Sequence, residues 1–122
     1  MDQDELAKKI AQAGDEGWTT LDLSDEEIDY LPAEIGNLTS LTELDLLGNG
    51  LTALPPVVGG LTNLIRLELH NNQLTALPLQ IGNLTALIRM TLYDNQLTAL
   101  PPEMKKLIDR GVVKLSENPL RG

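Results

Sequence analysis

A seven-position pattern, L-x-x-L-x-L-x-x-N-x-L-x-x-L-P, returns at a fixed step of 23 residues and leaves few architectures open to this chain. It reads Leu41, Leu44, Leu46, Asn49, Leu51, Leu54 and Pro55, then Leu64, Leu67, Leu69, Asn72, Leu74, Leu77 and Pro78. A third copy runs Leu87, Met90, Leu92, Asn95, Leu97, Leu100 and Pro101. Self-similarity at such a step marks a repeat architecture, in which one unit cannot bury its own apolar face and neighbours stack to make a core. Stacking in phase puts Leu44, Leu67, Met90 and Val113 in one column and Leu46, Leu69, Leu92 and Leu115 in another. At ~1.5–3 kcal/mol per fully buried aliphatic side chain, such columns supply most of the stabilisation.

Taken in order, residues 3–13 are predicted as a short helix. Asp2 caps it, with Glu5 three positions on. Leu6, Ala7, Ile10 and Ala13 share one face, and Gly14 is placed to end the helix in a left-handed conformation. The apolar face is expected on the first coil, so residues 1–17 form an N-terminal cap. Repeats are expected at 18–40, 41–63, 64–86 and 87–109, with a partial, capping repeat at 110–122, all within one domain. Trp18 takes the place of the leading Leu of the first repeat and is expected to fill the gap between cap and coil; Glu26 stands where later repeats carry Asn. Each repeat opens with the alternation of a half-buried strand, as in Leu44-Asp45-Leu46. Prolines 55, 78 and 101 then argue against a long helix on the return path, which should consist of 3₁₀ turns and extended pieces. After the fourth repeat no C-terminal capping helix is recognisable. The last strand is therefore expected to leave an open parallel edge, carrying only the charge of Lys114. Either the partial coil is itself the cap, or the chain continues naturally, or a partner covers the edge.

The polar column Asn49, Asn72, Asn95 and Asn118 has a different task from the leucines. Where the chain leaves the strand, backbone groups lose their ladder partners inside a crowded turn. An inward amide, with donors and an acceptor, can satisfy neighbouring turns at once. Glu26 cannot donate, so the first turn must be arranged differently or face solvent.

Over roughly residues 18–120 the chain resembles the leucine-rich repeat family, and within it the 23-residue Leu-Pro subclass of bacterial leucine-rich repeat proteins and of the repeat arms of Roco-type GTPases. The resemblance implies an α/β repeat fold. It would be a right-handed leucine-rich-repeat solenoid with a parallel β-sheet on the concave face, a 3₁₀ or extended convex face and an N-terminal capping α-helix. It also implies a protein that binds other proteins. Nothing in the chain matches a GTPase domain, and no ubiquitin-ligase domain follows the repeats.

Composition narrows the function. A net charge of −9 argues against nucleic acid, whose phosphates need a basic face, and against an anionic membrane surface. The charge is uneven: residues 1–45 hold thirteen acids against Lys8 and Lys9, whereas residues 46–122 are slightly basic. The acidic part reads either as a solvated cap that blocks end-to-end association or as a docking patch. There is no cysteine for a disulfide or a thiolate metal site. Met1-Asp2-Gln3-Asp4-Glu5 lacks the form of a signal peptide, and no apolar run approaches the ~18 residues of a membrane span, so a cytoplasmic chain is expected.

Chemistry-bearing residues are few. His70 is the single histidine and there is no cysteine, which excludes Cys/His catalysis and leaves a serine triad little support. His70 with Glu68 offers two ligands where zinc takes three or four, so no metal and no cofactor is expected. Gly48-Asn49-Gly50 belongs to the repeat turn, not to a phosphate loop. Asn37-Leu38-Thr39 and Asn83-Leu84-Thr85 match a glycosylation sequon only because the repeat recurs. No enzyme is expected.

Stacked coils place the outward positions in columns ~4.8 Å apart. One column runs Ser24, Leu47, His70, Tyr93, Ser116; its neighbours run Asp22, Asp45, Glu68, Thr91, Lys114 and Thr20, Glu43, Arg66, Arg89, Val112. Leu47, His70 and Tyr93 would make an apolar and aromatic stripe, flanked by Arg66 and Arg89 with Glu43, Asp45 and Glu68 between them. Tyr and Arg at the centre of a face are what binding hot spots favour. The expected function is therefore a non-catalytic interaction module taking a protein or peptide on the concave sheet. The plain alternative is ladder packing, with Arg66 paired to Asp45 or Glu43. Weak self-association through the C-terminal edge, and a recognition arm of a larger protein, are the other readings.

Overall fold

Each 23-residue period lays down one short strand, and the strands stack in chain order. β1 (Thr20–Asp22), β2 (Glu43–Asp45), β3 (Arg66–Glu68), β4 (Arg89–Thr91) and β5 (Val113–Lys114) form one parallel sheet. The computed structural model describes residues 1–121; Gly122, the end of the expected partial repeat, lies outside the described residues. The register is that of the repeat: Leu21 opposite Leu44, Leu44 opposite Leu67, Leu67 opposite Met90 and Met90 opposite Val113. Leu44, Leu46, Leu67, Leu69, Met90 and Leu92 are buried in one continuous core. This is a leucine-rich-repeat solenoid with its sheet on the concave face.

The return path is 3₁₀ helix, at Ala33–Asn37, Pro56–Gly60, Leu79–Asn83 and Pro102–Met104. Pro32, Pro55, Pro78 and Pro101 stand at the entry of each, with φ between −64° and −72°, the value their rings enforce. Each proline carbonyl accepts the first turn's N–H, from Ile35, Val58, Ile81 and Met104. Gly36, Gly59 and Gly82 recur here because the next coil comes too near for a side chain. A Cβ at Gly59 would lie 2.4 Å from Gln80 O, and one at Gly82 2.4 Å from Glu103 O. The fourth coil has Lys105 at this position, and there the path winds into a short α-helix, α2 (Lys105–Asp109). The expectation of 3₁₀ and extended pieces alone is corrected at this point. Lys105 pairs with Asp109 at 2.6 Å, and Gly111, at φ +74°, ends the helix.

A second periodic column lies just after each strand. Asp25, Gly48, Asn71, Asp94 and Glu117 all have left-handed backbone, with φ from 53° to 70°. The turn lets the N–H of Asp25, Gly48, Asn71 and Asp94 reach the carbonyl of Leu47, His70, Tyr93 and Ser116 on the following coil. Gly, Asn and Asp are the residues that tolerate this conformation at least cost.

The N-terminal cap is α1 (Gln3–Asp15), two residues longer than the sequence suggested. Asp2 Oδ1 accepts the Glu5 N–H at 2.8 Å. Leu6, Ile10 and Ala13 are buried, but Ala7 is exposed. Gly14 does not end the helix. It lies inside α1, where a Cβ would sit 3.3 Å from Leu38 Cδ2, and so lets the helix approach the first coil. The terminator is Gly17, at φ +64°, with the Gly17 N–H on Gly14 O and the Trp18 N–H on Ala13 O. These paired bonds satisfy the last carbonyls of the helix. Trp18 packs half-buried against the core beside them. Lys9 Nζ reaches Asp22 O on the outer side of β1, at 3.4 Å.

At the other end β5 pairs only with β4. Val113, Leu115 and Leu120 are half-buried there, and Val112, expected to point outward, is buried. Arg110 takes the place of a core leucine and turns its guanidinium to the carbonyls of Thr85 and Leu87, at 3.0 and 2.8 Å.

Candidate functional site

Alternation along each strand turns Leu inward and its neighbours onto the concave face. On that face, coils three and four are tied together by one chain of polar contacts. Arg89 Nε donates to Glu68 Oε1 at 3.3 Å. The Thr91 hydroxyl donates to Glu68 Oε2 at 2.7 Å. The same hydroxyl oxygen lies 2.7 Å from His70 Nδ1 and accepts the Leu69 N–H at 3.1 Å. The His70 ring then stacks on Tyr93, with centroids 4.4 Å apart and planes 21° from parallel. Glu68 Oε2 also lies 3.6 Å from His70 Nδ1. Thr91 is 0% exposed, a buried hydroxyl with its bonding complete.

The structure thus brings together Arg89, Glu68, His70 and Tyr93 from the expected set. Leu47 lies half-buried on the same column, one coil earlier. Arg66 and Glu43 are exposed, and among the described residues Arg66 makes no ion pair with either Glu43 or Asp45. Asp45 is turned to its own coil, its Oδ1 accepting the Leu47 N–H at 3.1 Å. Burial pushes the Asp45 carboxyl above its ordinary value, and the like charges of Asp22 and Glu68 add to this; the Leu47 N–H and His70 oppose it. The neighbouring Asp22 is held low by the Ser24 hydroxyl and N–H, at 2.6 and 2.9 Å. Asp22, Glu43 and Asp45 line a shallow depression with Thr20 and Leu21. No group of three or more His, Cys, Asp or Glu among the described residues could hold a metal.

Thr91 is the member that sequence reasoning missed. The one available signal was its column, in which three acids give way to a hydroxyl before Lys114. An uncharged donor between Glu68 and the coil beyond is what a carboxylate needs once it leaves water.

The asparagine column lies behind this face. Asn72 Nδ2 donates to Leu46 O and Leu69 O at 2.9 and 3.0 Å, while Oδ1 accepts the Leu51 N–H at 3.1 Å. Asn95 serves Leu69, Leu92 and Leu74 in the same way, and Asn118 serves Leu92, Leu115 and Leu97. Asn49 accepts from both Glu26 N and Ile28 N at 3.0 Å. Glu26 itself stays half-buried, and its carbonyl takes the Met1 ammonium at 2.6 Å.

Comparison with known proteins agrees with this geometry. The family model described as a leucine-rich repeat region matches residues 20–112. No curated protein matches the chain. Among solved structures, a leucine-rich repeat protein of Leptospira interrogans is 38% identical over 78% of this chain and 24% of its own, with a TM-score of 0.67. A plant peptide hormone receptor, RGFR1, in complex with RGF2, is 31% identical over 84% of this chain and 17% of its own, with a TM-score of 0.71. An internalin of Listeria monocytogenes covers 99% of this chain and 33% of its own at 23% identity and a TM-score of 0.75, a likeness of fold. The chain spans a third or less of the length of each of these proteins. With the match running from 20 to 112, on a solenoid of stacked leucine columns, the chain belongs to the leucine-rich repeat family.

Proposed function

We propose that this solenoid is a non-catalytic interaction module that takes a protein or peptide on its concave sheet. Leu47, His70 and Tyr93 form the contact centre, with Arg66, Arg89, Glu43, Asp45 and Glu68 around it. The observation that carries the reading is the linkage from Arg89 through Glu68 and Thr91 to the His70–Tyr93 stack. It holds an aromatic surface in place across two coils, so a partner that lands there costs little ordering of side chains. Arg66, without an ion pair among the described residues, adds a guanidinium at the margin. The likeness to a receptor solved with a peptide hormone supports a peptide-sized partner.

The test is selection of random peptides on the immobilised protein, followed by binding to Tyr93→Ala and Arg66→Ala. Peptides that lose affinity for both variants, while each variant melts close to the parent, support the reading. Peptides indifferent to both, or variants that fail to fold, sink it. A second reading is self-association at β5, favoured by the half-buried Val113, Leu115 and Leu120. Light scattering over a concentration series that shows a strict monomer would end it.

A further inference from the structure

The contacts of Thr91 decide which nitrogen of His70 carries the proton. The Thr91 hydroxyl has one hydrogen, and a carboxylate has none to give. At 2.7 Å, the bond to Glu68 Oε2 therefore consumes the Thr91 proton. Thr91 Oγ1 can then only accept from His70, so Nδ1 must carry the imidazole hydrogen across their 2.7 Å contact. The opposite tautomer would set the Thr91 oxygen lone pairs against those of Glu68 or of Nδ1. Arg89, on Glu68 Oε1, holds the carboxylate end of the relay.

The other nitrogen is then a bare acceptor. Nε2 makes no hydrogen bond among the described residues, and yet it is not one of any buried, unpaired atoms, for there are none. It therefore reaches the concave surface. Tyr93 covers the face of the ring and not its edge, so the in-plane lone pair of Nε2 stays open.

We propose that His70 is a fixed hydrogen-bond acceptor that reads a backbone N–H of an extended peptide lying on the concave face. A side chain next to that N–H would cover Tyr93. The proposal rests on the concave-face reading and adds a donor requirement to it. Protonation turns Nε2 from acceptor into donor, so such a peptide is released when His70 gains its second proton. The titratable and charged groups around the ring are Glu68 on its own strand, Asp45 on the coil before, and Arg89 and Tyr93 on the coil after.

Because the chain has one histidine, long-range proton–nitrogen spectra of the ¹⁵N-labelled protein report this ring alone. The expected spectrum has a protonated Nδ1 and a bare Nε2, and Thr91→Val loses that preference while its methyl spectrum stays native. A dominant Nε2–H form in the parent, or an unchanged preference in a folded Thr91→Val, overturns the proposal. For the ligand, random peptides of about twelve residues are selected on the parent while its spectrum shows a neutral ring, and kept where Tyr93→Ala weakens them. They should bind His70→Phe, which keeps a ring on Tyr93, about tenfold more weakly, the scale of one hydrogen bond. They should weaken likewise on the parent once its spectrum shows both nitrogens protonated, with no such pH change on His70→Phe. Tyr93-dependent peptides that bind His70→Phe as well as the parent overturn the acceptor role and leave the concave-face reading standing. If no peptide depends on Tyr93, both fall.

Discussion

The imidazole of His70 and the phenol of Tyr93 come from adjacent coils and lie face to face, 4.4 Å between centroids. Stacked aromatic pairs contribute ~0.5–1.5 kcal/mol beyond the area they bury. A double-mutant cycle of His70→Ala and Tyr93→Ala, followed by urea unfolding, is expected to show a coupling energy of about that size. A coupling indistinguishable from zero would mean that the rings only lie near each other.

Asn72→Leu leaves the Leu51 N–H without its partner, in a turn where Asn72 is only 3% exposed, while Leu46 O and Leu69 O keep Asn49 and Asn95 as donors. One buried N–H left unpaired costs ~1–3 kcal/mol, and a loss of that size is expected in urea unfolding. Asn118→Leu, on a half-exposed turn, should lose less. Equal midpoints for Asn72→Leu and the parent would refute the polar ladder as a source of stability.

Gly82→Ala places a Cβ 2.4 Å from the Glu103 carbonyl oxygen, a backbone atom that cannot swing aside. The two coils must part, and a loss of ~1–3 kcal/mol is expected, the scale of overpacking in a tight interior. Gly60→Ala, whose Cβ would meet nothing within 4 Å, is the matched control and should melt near the parent.

Asp45 is the site for a pH experiment. Its carboxyl is raised in the folded state above the ordinary 3.8, first by burial. A raised folded value means that the unfolded chain gives up this proton more easily. The carboxyl therefore favours folding least where it is ionised in both states. Asp45→Asn keeps an oxygen for the Leu47 N–H and removes the charge. It should be more stable than the parent at neutral pH, and the two should converge as pH falls through and below 3.8. A gap that widens on acidification would contradict the assignment.

Most of the fold was legible because its determinants are periodic. The leucine columns, the strand register and the returns after each proline follow from a step of 23 and the alternation of a strand. What escaped depends on atoms of the next coil. Gly36, Gly59 and Gly82 are plain in the sequence, but their reason is a carbonyl or side chain 21 residues away, at Val57, Gln80 and Glu103. The left-handed column could have been read from Gly48, Asn71 and Asp94, and Glu117 shows that position overrides preference at the end of the stack. Helix α2 begins at Lys105, where the three earlier coils carry glycine. On the concave face the register placed Arg89, Glu68, His70 and Tyr93 side by side as read, although Val112 of the Arg89 column is buried. Side-chain direction was not legible, so Arg66 appeared as a partner for Asp45, whereas Glu68 takes Arg89, and the buried hydroxyl of Thr91 went unmarked.

The asparagine column also has a direction. Each amide oxygen accepts from an N–H of the coil before it: Asn72 from Leu51, Asn95 from Leu74, Asn118 from Leu97. Each of these three amide hydrogens is therefore guarded from solvent exchange by the coil that follows it. Loosening the last coil should speed deuterium uptake at Leu97 first and pass toward the N-terminus one coil at a time. Loosening the first should expose no such hydrogen in the coils that follow.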